Sequence, residues 1–479
     1  MNTAENTIAW WQVVPSILWT DWLVYILLIA IGVFVFHARK HEHLRAPWRH
    51  ILRRRLAMSS CIILLAFATI GLLDSVHFRQ AVDVREDGSL RYSNESVSLF
   101  DQLVLPLKKN TEKTYSAPFA THLYSKENIE LADGSVIRDY PLLKYGGAHL
   151  TDSSLGMSED IQARIITASW QAALSVVLIV LALASWQAVK RKQQLGCVLL
   201  RMWRGEKEGV PWKTVFTTLG CIVLLIYLSK ELATVYHVFG TDKVGQDVFY
   251  LTLKSIRTGL VIGTLTTLIM LPFAIMLGIM AGYFRGWIDD VIQYIYTTLS
   301  SIPSVLLIVA AVLMIQVLID NNPDAFTTLQ QRADVKLLAL CFILGITSWT
   351  GLCRLLRGES LKLRESDYIQ AAQAFGVSNF KIITRHILPN VMHIVLILVV
   401  LDFSGLVLAE AVLSYVGVGV DPSMISWGNM INGARLEMAR EPIVWWSLMA
   451  AFIFMLLLVL TANLFADAVR DAFDPRLRK

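Results

Sequence analysis

The chain has 479 residues, 55% of them hydrophobic and only 17% charged, with a mean hydropathy of +0.53. A water-facing surface normally needs about a quarter of its residues charged, so this composition excludes an ordinary soluble enzyme, a disordered tail protein and a small disulfide scaffold. The net charge of +5 is too small to indicate nucleic-acid binding.

About nine apolar runs are long enough to cross a hydrocarbon core as helices, the one backbone form that satisfies its own polar groups there apart from a closed barrel. They centre on residues 18–36, 56–74, 165–189, 212–231, 258–284, 290–318, 335–353, 390–414 and 443–466. The predicted fold class is therefore an all-α polytopic membrane protein with a small periplasmic insertion. The first run follows a stretch without Lys or Arg and precedes no small-residue cleavage site, so it is expected to stay as an anchor. Two short loops gather positive charge, one with Arg39, Lys40, Arg45, Arg49, Arg53, Arg54 and Arg55, the other with Lys190, Arg191, Lys192, Arg201, Arg204, Lys207 and Lys213. Basic loops stay cytoplasmic, which puts the N-terminus and residues 76–163 outside, and the loops 285–289 and 354–389 and the tail Arg470–Lys479 inside.

The expected organisation is a two-helix anchor (1–75), a periplasmic insertion (76–163), two further helices (164–234) and a membrane core (235–479). The insertion has turn pairs Asp87-Gly88 and Asp133-Gly134 beside β-prone Leu90–Tyr92 and Ser135–Ile137, which predicts a partly β, largely irregular fold. Its Asn94-Glu95-Ser96 triplet reads as accidental. His37, His41, His43 and His50 sit among arginines that repel a cation, so no metal site is expected there. The five cysteines have neither zinc nor CxxC spacing, and the insertion offers no nucleophile–histidine set, so no catalytic residue and no enzyme activity is expected of this chain.

Within 354–389, Tyr368, Ala371, Ala372 and Phe375 recur at i, i+3, i+4 and i+7, which predicts a short amphipathic helix. Gly376 suits a left-handed helix end, Ser378 or Asn379 a following cap, Phe380, Ile383 and Ile387 a second apolar stripe, and Pro389 the first turn of the next span. The expectation is a helix-turn-helix between two spans. Gly259 and Gly263, then Gly278 and Gly282, are GxxxG pairs that permit close helix approach, within the chain or against a sister subunit. Ser300-Ser301-Ile302-Pro303-Ser304 predicts a kink inside one long span, with Ser301, Pro303 and Ser304 as candidates for the substrate path. Asp402 and Glu410 are carboxylates inside a span, a placement that usually serves a cavity or a partner; Asp402 is the candidate substrate contact and Glu410 a structural brace.

Gln370-Ala371-Ala372, Gly376 and Leu388-Pro389 together resemble the EAA loop (365–390) of ATP-binding-cassette transporter permeases. Four more segments resemble the dipeptide, oligopeptide and nickel permeases, in their C-type subunit: Phe239–Phe249, Gly278–Gly286 through Asp290, Leu413–Gly419 with Ser426–Asn429, and Asn463–Arg478. The resemblance covers residues 212–479; the family's usual Glu and Arg are here Gln370 and Gln246. It implies an inner-membrane importer subunit for peptides, with nickel or another small solute as the alternative and an ion-coupled transporter as the rival class. It also implies a homologous permease, two ATP-binding subunits that bind and hydrolyse the ATP, and a periplasmic solute-binding protein as partners. The chain itself has no GxxxxGK[ST] phosphate loop, and no cofactor is expected on it.

In a cysteine-free background, single cysteines at Ser93 and Ser125 are expected to react with an impermeant maleimide added from the periplasmic side, and one at Gln194 to stay unlabelled; labelling of Gln194→Cys in intact spheroplasts would break this topology.

Overall fold

The computed structural model describes residues 13–40, 42–84, 90–93, 95–130, 136–150, 156–204, 209–322 and 328–473. Asp87-Gly88, Asp133-Gly134, Asn94, His41 and residues 474–479 lie outside them, as do the side chains of His37 and His43. The chain opens with strand β1 (Val13–Pro15), α1 (Trp19–Lys40), α2 (Glu42–Arg53) and α3 (Arg55–Asp74). The insertion then forms β2 (His77–Val84), β3 (Leu90–Tyr92), β4 (Val97–Ser98), α4 (Leu99–Leu103), α5 (Leu105–Lys109), β5 (Glu127–Glu130) and β6 (Val136–Asp139). Next come α6 (Met157–Arg191), α7 (Leu195–Arg204), α8 (Trp212–Ala233), α9 (Val248–Phe284), α10 (Trp287–Ser301), α11 (Ser304–Asp320) and α12 (Leu329–Arg364). The last elements are α13 (Asp367–Ala374), α14 (Asn379–Ile382), a π-helical turn Ile383–Ile387, α15 (Leu388–Tyr415), α16 (Trp427–Glu437) and α17 (Trp446–Phe473).

Among the described residues, seven helices are long and apolar enough to cross a membrane: α3, α6, α8, α9, α12, the continuous run Asn379–Tyr415, and α17. The run predicted at 290–318 is broken more sharply than a kink. It is two helices, α10 and α11, bent by 87° at Ile302-Pro303, because proline both lacks an N–H and forces its predecessor out of the helical region. The first predicted run corresponds to α1, whose apolar part, Trp19–Val33, is shorter than the others.

The core is organised by α9 and α12, which run side by side in the same direction. A Cβ at Gly278 would lie 2.8 Å from the Cys353 carbonyl oxygen, and one at Gly282 2.6 Å from that of Arg357. Only glycine permits that approach. From the facing side, a Cβ at Gly345 of α12 would meet Ile269 at 2.7 Å. The other pair packs elsewhere in the chain: Gly259 lies under the Trp427 ring and Gly263 under Phe403 and Val407. Trp427 is seated by its indole N–H, which donates to the Thr252 carbonyl at 3.1 Å.

The insertion is mixed, as its sequence suggests, yet it is not self-contained. β2 pairs antiparallel with β3, β4 and β1, so the segment before α1 supplies a strand to its sheet, while β5 and β6 form a separate hairpin. Buried charges fasten this region to the core. Arg257 of α9 donates to Asp21 at 2.6 Å and to Thr20 at 3.0 Å; Asp21 also holds His77 at 2.8 Å, and the Thr20 hydroxyl donates to Asp334 of α12. Beside it, Lys254 reaches Asp101 at 2.5 Å and Asp74 at 3.2 Å, and the Tyr250 hydroxyl donates to Asp101 at 2.9 Å. Removing one member of such a buried set strands its partner and costs about 3–5 kcal/mol.

A third link uses the segment before α9. His237, 3% exposed, lies between Asp247 at 2.7 Å and Glu112 at 3.4 Å. Glu112 in turn accepts the backbone N–H groups of Lys144, Tyr145 and Gly146 at 2.8, 2.7 and 3.1 Å. Burial alone would lower the imidazole pKa, but the two carboxylates raise it to about 9. Burial would raise that of Glu112, but His237 and the three N–H donors lower it to about 2.

A raised histidine pKa stabilises the fold fully below the free value of 6.5 and ceases to do so as pH climbs through about 9. The lowered carboxyl acts oppositely, stabilising above 4.5 and fading toward about 2. Thermal unfolding of the reconstituted chain is therefore expected to shift to lower temperature between pH 7 and 10, and His237→Gln is expected to be less stable at pH 7 with a flatter alkaline limb. An alkaline loss equal in wild type and variant would remove His237 as its source.

Candidate functional site: the loop between α12 and α15

Residues 365–390 occupy the end of the molecule opposite the sheet. α13 begins after Ser366, whose backbone is extended, and stops at Gly376, whose φ of +72° is the left-handed value expected there. No side-chain cap forms at Ser378, and the next helix is not a separate element. After Asn379–Ile382 the backbone passes through the π-helical turn straight into α15, with Pro389 in its first turn. The predicted helix-turn-helix is thus one short helix and a turn abutting the base of a long span.

The apolar spacing does not itself say which side chains turn inward. Ile369, Ile382 and Ile387 are fully buried, in the same cluster as Leu352, Cys353 and Leu356 of α12. Tyr368, Gln370 and Ala371 are exposed, Ala372 is half-buried, and Phe375 and Phe380 are 88% and 78% exposed on the two sides of Gly376. Two large bare aromatic rings flanking a tight turn form a surface suited to another protein. Leu388 packs inward and Pro389 faces out.

The base under this surface is made by residues that sequence reasoning did not single out. Tyr283, 3% exposed at the end of α9, donates its hydroxyl to Asn379 Oδ1 at 2.8 Å and accepts from Gln373 Nε2 at 3.3 Å. One hydroxyl therefore holds both sides of the turn. Arg357 of α12 makes a two-pronged pair with Asp289 of α10, at 2.6 and 2.7 Å, and Arg285 pairs with Glu365 just before α13. The family-like segment Gly278–Gly286 contains Tyr283, but its partner is 96 residues away, so no local spacing points to it.

Comparison with known proteins decides the family. Residues 274–479 match the family described as "Binding-protein-dependent transport system inner membrane component". The chain is 33% identical over 242 residues to the oligopeptide transport system permease protein OppC of Mycobacterium bovis, covering 50% of this chain and 77% of that one. It belongs to that permease family. It is also 30% identical over 243 residues to the dipeptide transport system permease protein DppC of Bacillus subtilis, covering 51% and 70%. The glutathione transport system permease protein GsiD of Pectobacterium atrosepticum is 31% identical over 243 residues, covering 50% and 73%. The α9–α12 contact from Gly278 onward, the loop 365–390 and α15–α17 all fall inside the matched region, and the insertion falls outside it.

The other candidates of this permease lie apart from the loop. Asp402 is half-buried on α15 with no hydrogen-bond partner among the described residues. Glu410 is buried and accepts from Ser414 at 2.8 Å and Ser426 at 3.0 Å, which ties α15 to the start of α16. Ser301, Pro303 and Ser304 are exposed at the α10–α11 break, where the Ser301 hydroxyl donates to the Thr298 carbonyl at 2.7 Å.

Removing the Tyr283 hydroxyl deletes two hydrogen bonds worth about 1 kcal/mol each. A nitroxide at Phe375→Cys is expected to sharpen its spectrum in the Tyr283→Phe background, reporting a looser turn while the chain still folds. An unchanged line shape would show that the apolar seat of Ile369 and Ile382 alone holds the loop.

Proposed function

We propose that this permease is the membrane-spanning subunit of an ATP-driven inner-membrane importer for short peptides. Its partners are a homologous permease, two ATP-binding subunits that bind and hydrolyse the nucleotide, and a soluble solute-binding protein on the sheet side. The observation that carries the reading is the exposed Phe375–Gly376–Phe380 surface seated on buried isoleucines and on Tyr283. The substrate class rests on the relatives named for dipeptides, oligopeptides and glutathione.

In this reading Gln370, Ala371, Ala372 and Gly376 shape the part of α13 that enters a cleft of the ATP-binding subunit, and Leu388 and Pro389 anchor its exit. When two such subunits close, α13 moves with its base. Since α9 and α12 meet backbone to backbone, they move as one body and pass the displacement along their length, switching the substrate path between two packed states. Asp402, Ser301, Pro303 and Ser304 line that path; a half-buried carboxylate without a partner among the described residues suits the amino group of a peptide.

The test is uptake of labelled peptides by the assembled complex in proteoliposomes, expected to require ATP and to stop with vanadate. Uptake driven by an ion gradient without ATP would overturn the reading. Ala371→Glu, on the exposed face, is expected to abolish peptide-stimulated ATP hydrolysis and lower uptake at least tenfold, the effect of ~1.4 kcal/mol of lost docking, without lowering membrane yield. Asp402→Asn is expected to keep basal hydrolysis and thermal stability while raising the KM for peptide; transport indistinguishable from wild type would reduce Asp402 to a structural group.

A further inference from the structure

The added helices repeat one device at two corners. At the end of α6, Lys190 stands over the ring of Trp186 with its Nζ 5.0 Å from the centroid, and at the end of α1, Lys40 stands over Phe36 at 4.5 Å. In each case the cation lies one turn beyond an exposed aromatic, 61% for Trp186 and 64% for Phe36. In each case a short amphipathic helix follows, α7 or α2, before the next span begins. Both corners lie at the end of the molecule that carries α13, since α3, α8 and their neighbours alternate in direction between the sheet end and that end.

At the α7 corner the short helix has three faces. Val198 and Met202, one turn apart, are buried with Ala184, Ala188, Trp212 and Phe216. Leu200 and Trp203 are 58% and 75% exposed on one side of α7, and Val189 near the end of α6 is 80% exposed. Cys197 and Arg201 occupy the remaining side, and Lys190, Arg191 and Lys192 stand exposed at the bend, where Lys192 adopts φ +52° and ends α6. A helix joining two membrane spans at one end must lie at the membrane surface. There an indole ring sits at the headgroup level, aliphatic side chains dip into the acyl region, and ammonium and guanidinium groups reach the phosphates.

We propose that the α6–α7–α8 corner, and its counterpart at α1–α2–α3, is an in-plane anchor that selects anionic phospholipid headgroups. The occupant follows from charge: three consecutive exposed basic side chains stand where two lipid-facing helices end, followed by a helix that exposes Leu200 and Trp203. Each cation near an anionic surface adds roughly a fivefold preference. Because the corner touches neither α13 nor the candidate substrate path, this inference stands apart from the proposed transport activity.

The experiment uses the full chain in nanodiscs. With Cys61, Cys221, Cys341 and Cys353 replaced by serine, nitroxides are placed at native Cys197 or, after Cys197→Ser, at Leu200→Cys or Trp203→Cys. Labels at 200 and 203 are expected to collide with oxygen, and the label at 197 with a polar nickel chelate. A label at 203 reached mainly by the chelate, or shielded from both reagents as under a protein partner, overturns the proposal. Spin-labelled phosphatidylglycerol is then compared with spin-labelled phosphatidylcholine. The wild-type chain is expected to retain phosphatidylglycerol at least fivefold over phosphatidylcholine, and Lys190→Gln/Arg191→Gln/Lys192→Gln to bring the ratio near one; equal ratios in the two chains overturn it as well. Should the triple variant fail to fold, the collision data on the otherwise native chain still decide the lipid contact.

Discussion

The close contact of α9 and α12 is the constraint on which the rest of the structure depends. Lipid offers no hydrophobic gain for bringing apolar helices together, so association there rests on packing, and glycines at 278, 282 and 345 convert that packing into backbone contact. A valine at Gly282 would collide with Arg357 and Ser360, close to the Arg357–Asp289 pair that fixes α10. The same two helices carry charges at the other end, Arg257 and Lys254 on α9 and Asp334 on α12, to which the N-terminal helices and the insertion are fastened. One rigid pair thus supports the exposed loop at one end and the sheet at the other.

How the added regions join the matched core explains why the boundary near residue 235 is not a seam. β1 pairs with β2, whose His77 end joins Arg257 and Thr20 in one buried set of polar contacts around Asp21, and the segment Phe239–Phe249 supplies Thr241 to Ser116 at 2.6 Å as well as Asp247 to His237. Gly240 and Gly245 take positive φ within that segment and bring its backbone against Ser116 and Glu112. The segment caps α9 through Asp247, whose side chain accepts the N–H of Phe249 at 2.8 Å. A helix start and the seat of an inserted domain are therefore the same eleven residues, Phe239 to Phe249.

What was legible in the sequence is what has a local period. The apolar runs, the glycine pairs, the left-handed Gly376, Pro389 in a first turn and the β character of Leu90–Tyr92 all follow from neighbours within a few residues. The 87° break at Pro303 was visible only as a kink, because whether a proline bends or ends a helix depends on what packs beside it. The inward face of α13 was not legible for a similar reason: spacing identifies a stripe, but whether Phe375 or Ile369 goes inward depends on α12 beneath it. Arg257 with Asp21 and Tyr283 with Asn379 were beyond reach, since their partners stand 236 and 96 residues apart.

The central claim is that Phe375 and Phe380 face an ATP-binding subunit while their buried neighbours hold α13 to α9 and α12. Incorporating a photo-reactive benzoylphenylalanine at Phe375, Phe380 or, as a lipid-facing comparison, Trp203, in cells that also express the ATP-binding subunits, tests it directly. The account predicts a covalent adduct with an ATP-binding subunit from positions 375 and 380 and none from 203. Adducts from 375 and 380 confined to lipid or to this chain itself, with the complex intact, would contradict it.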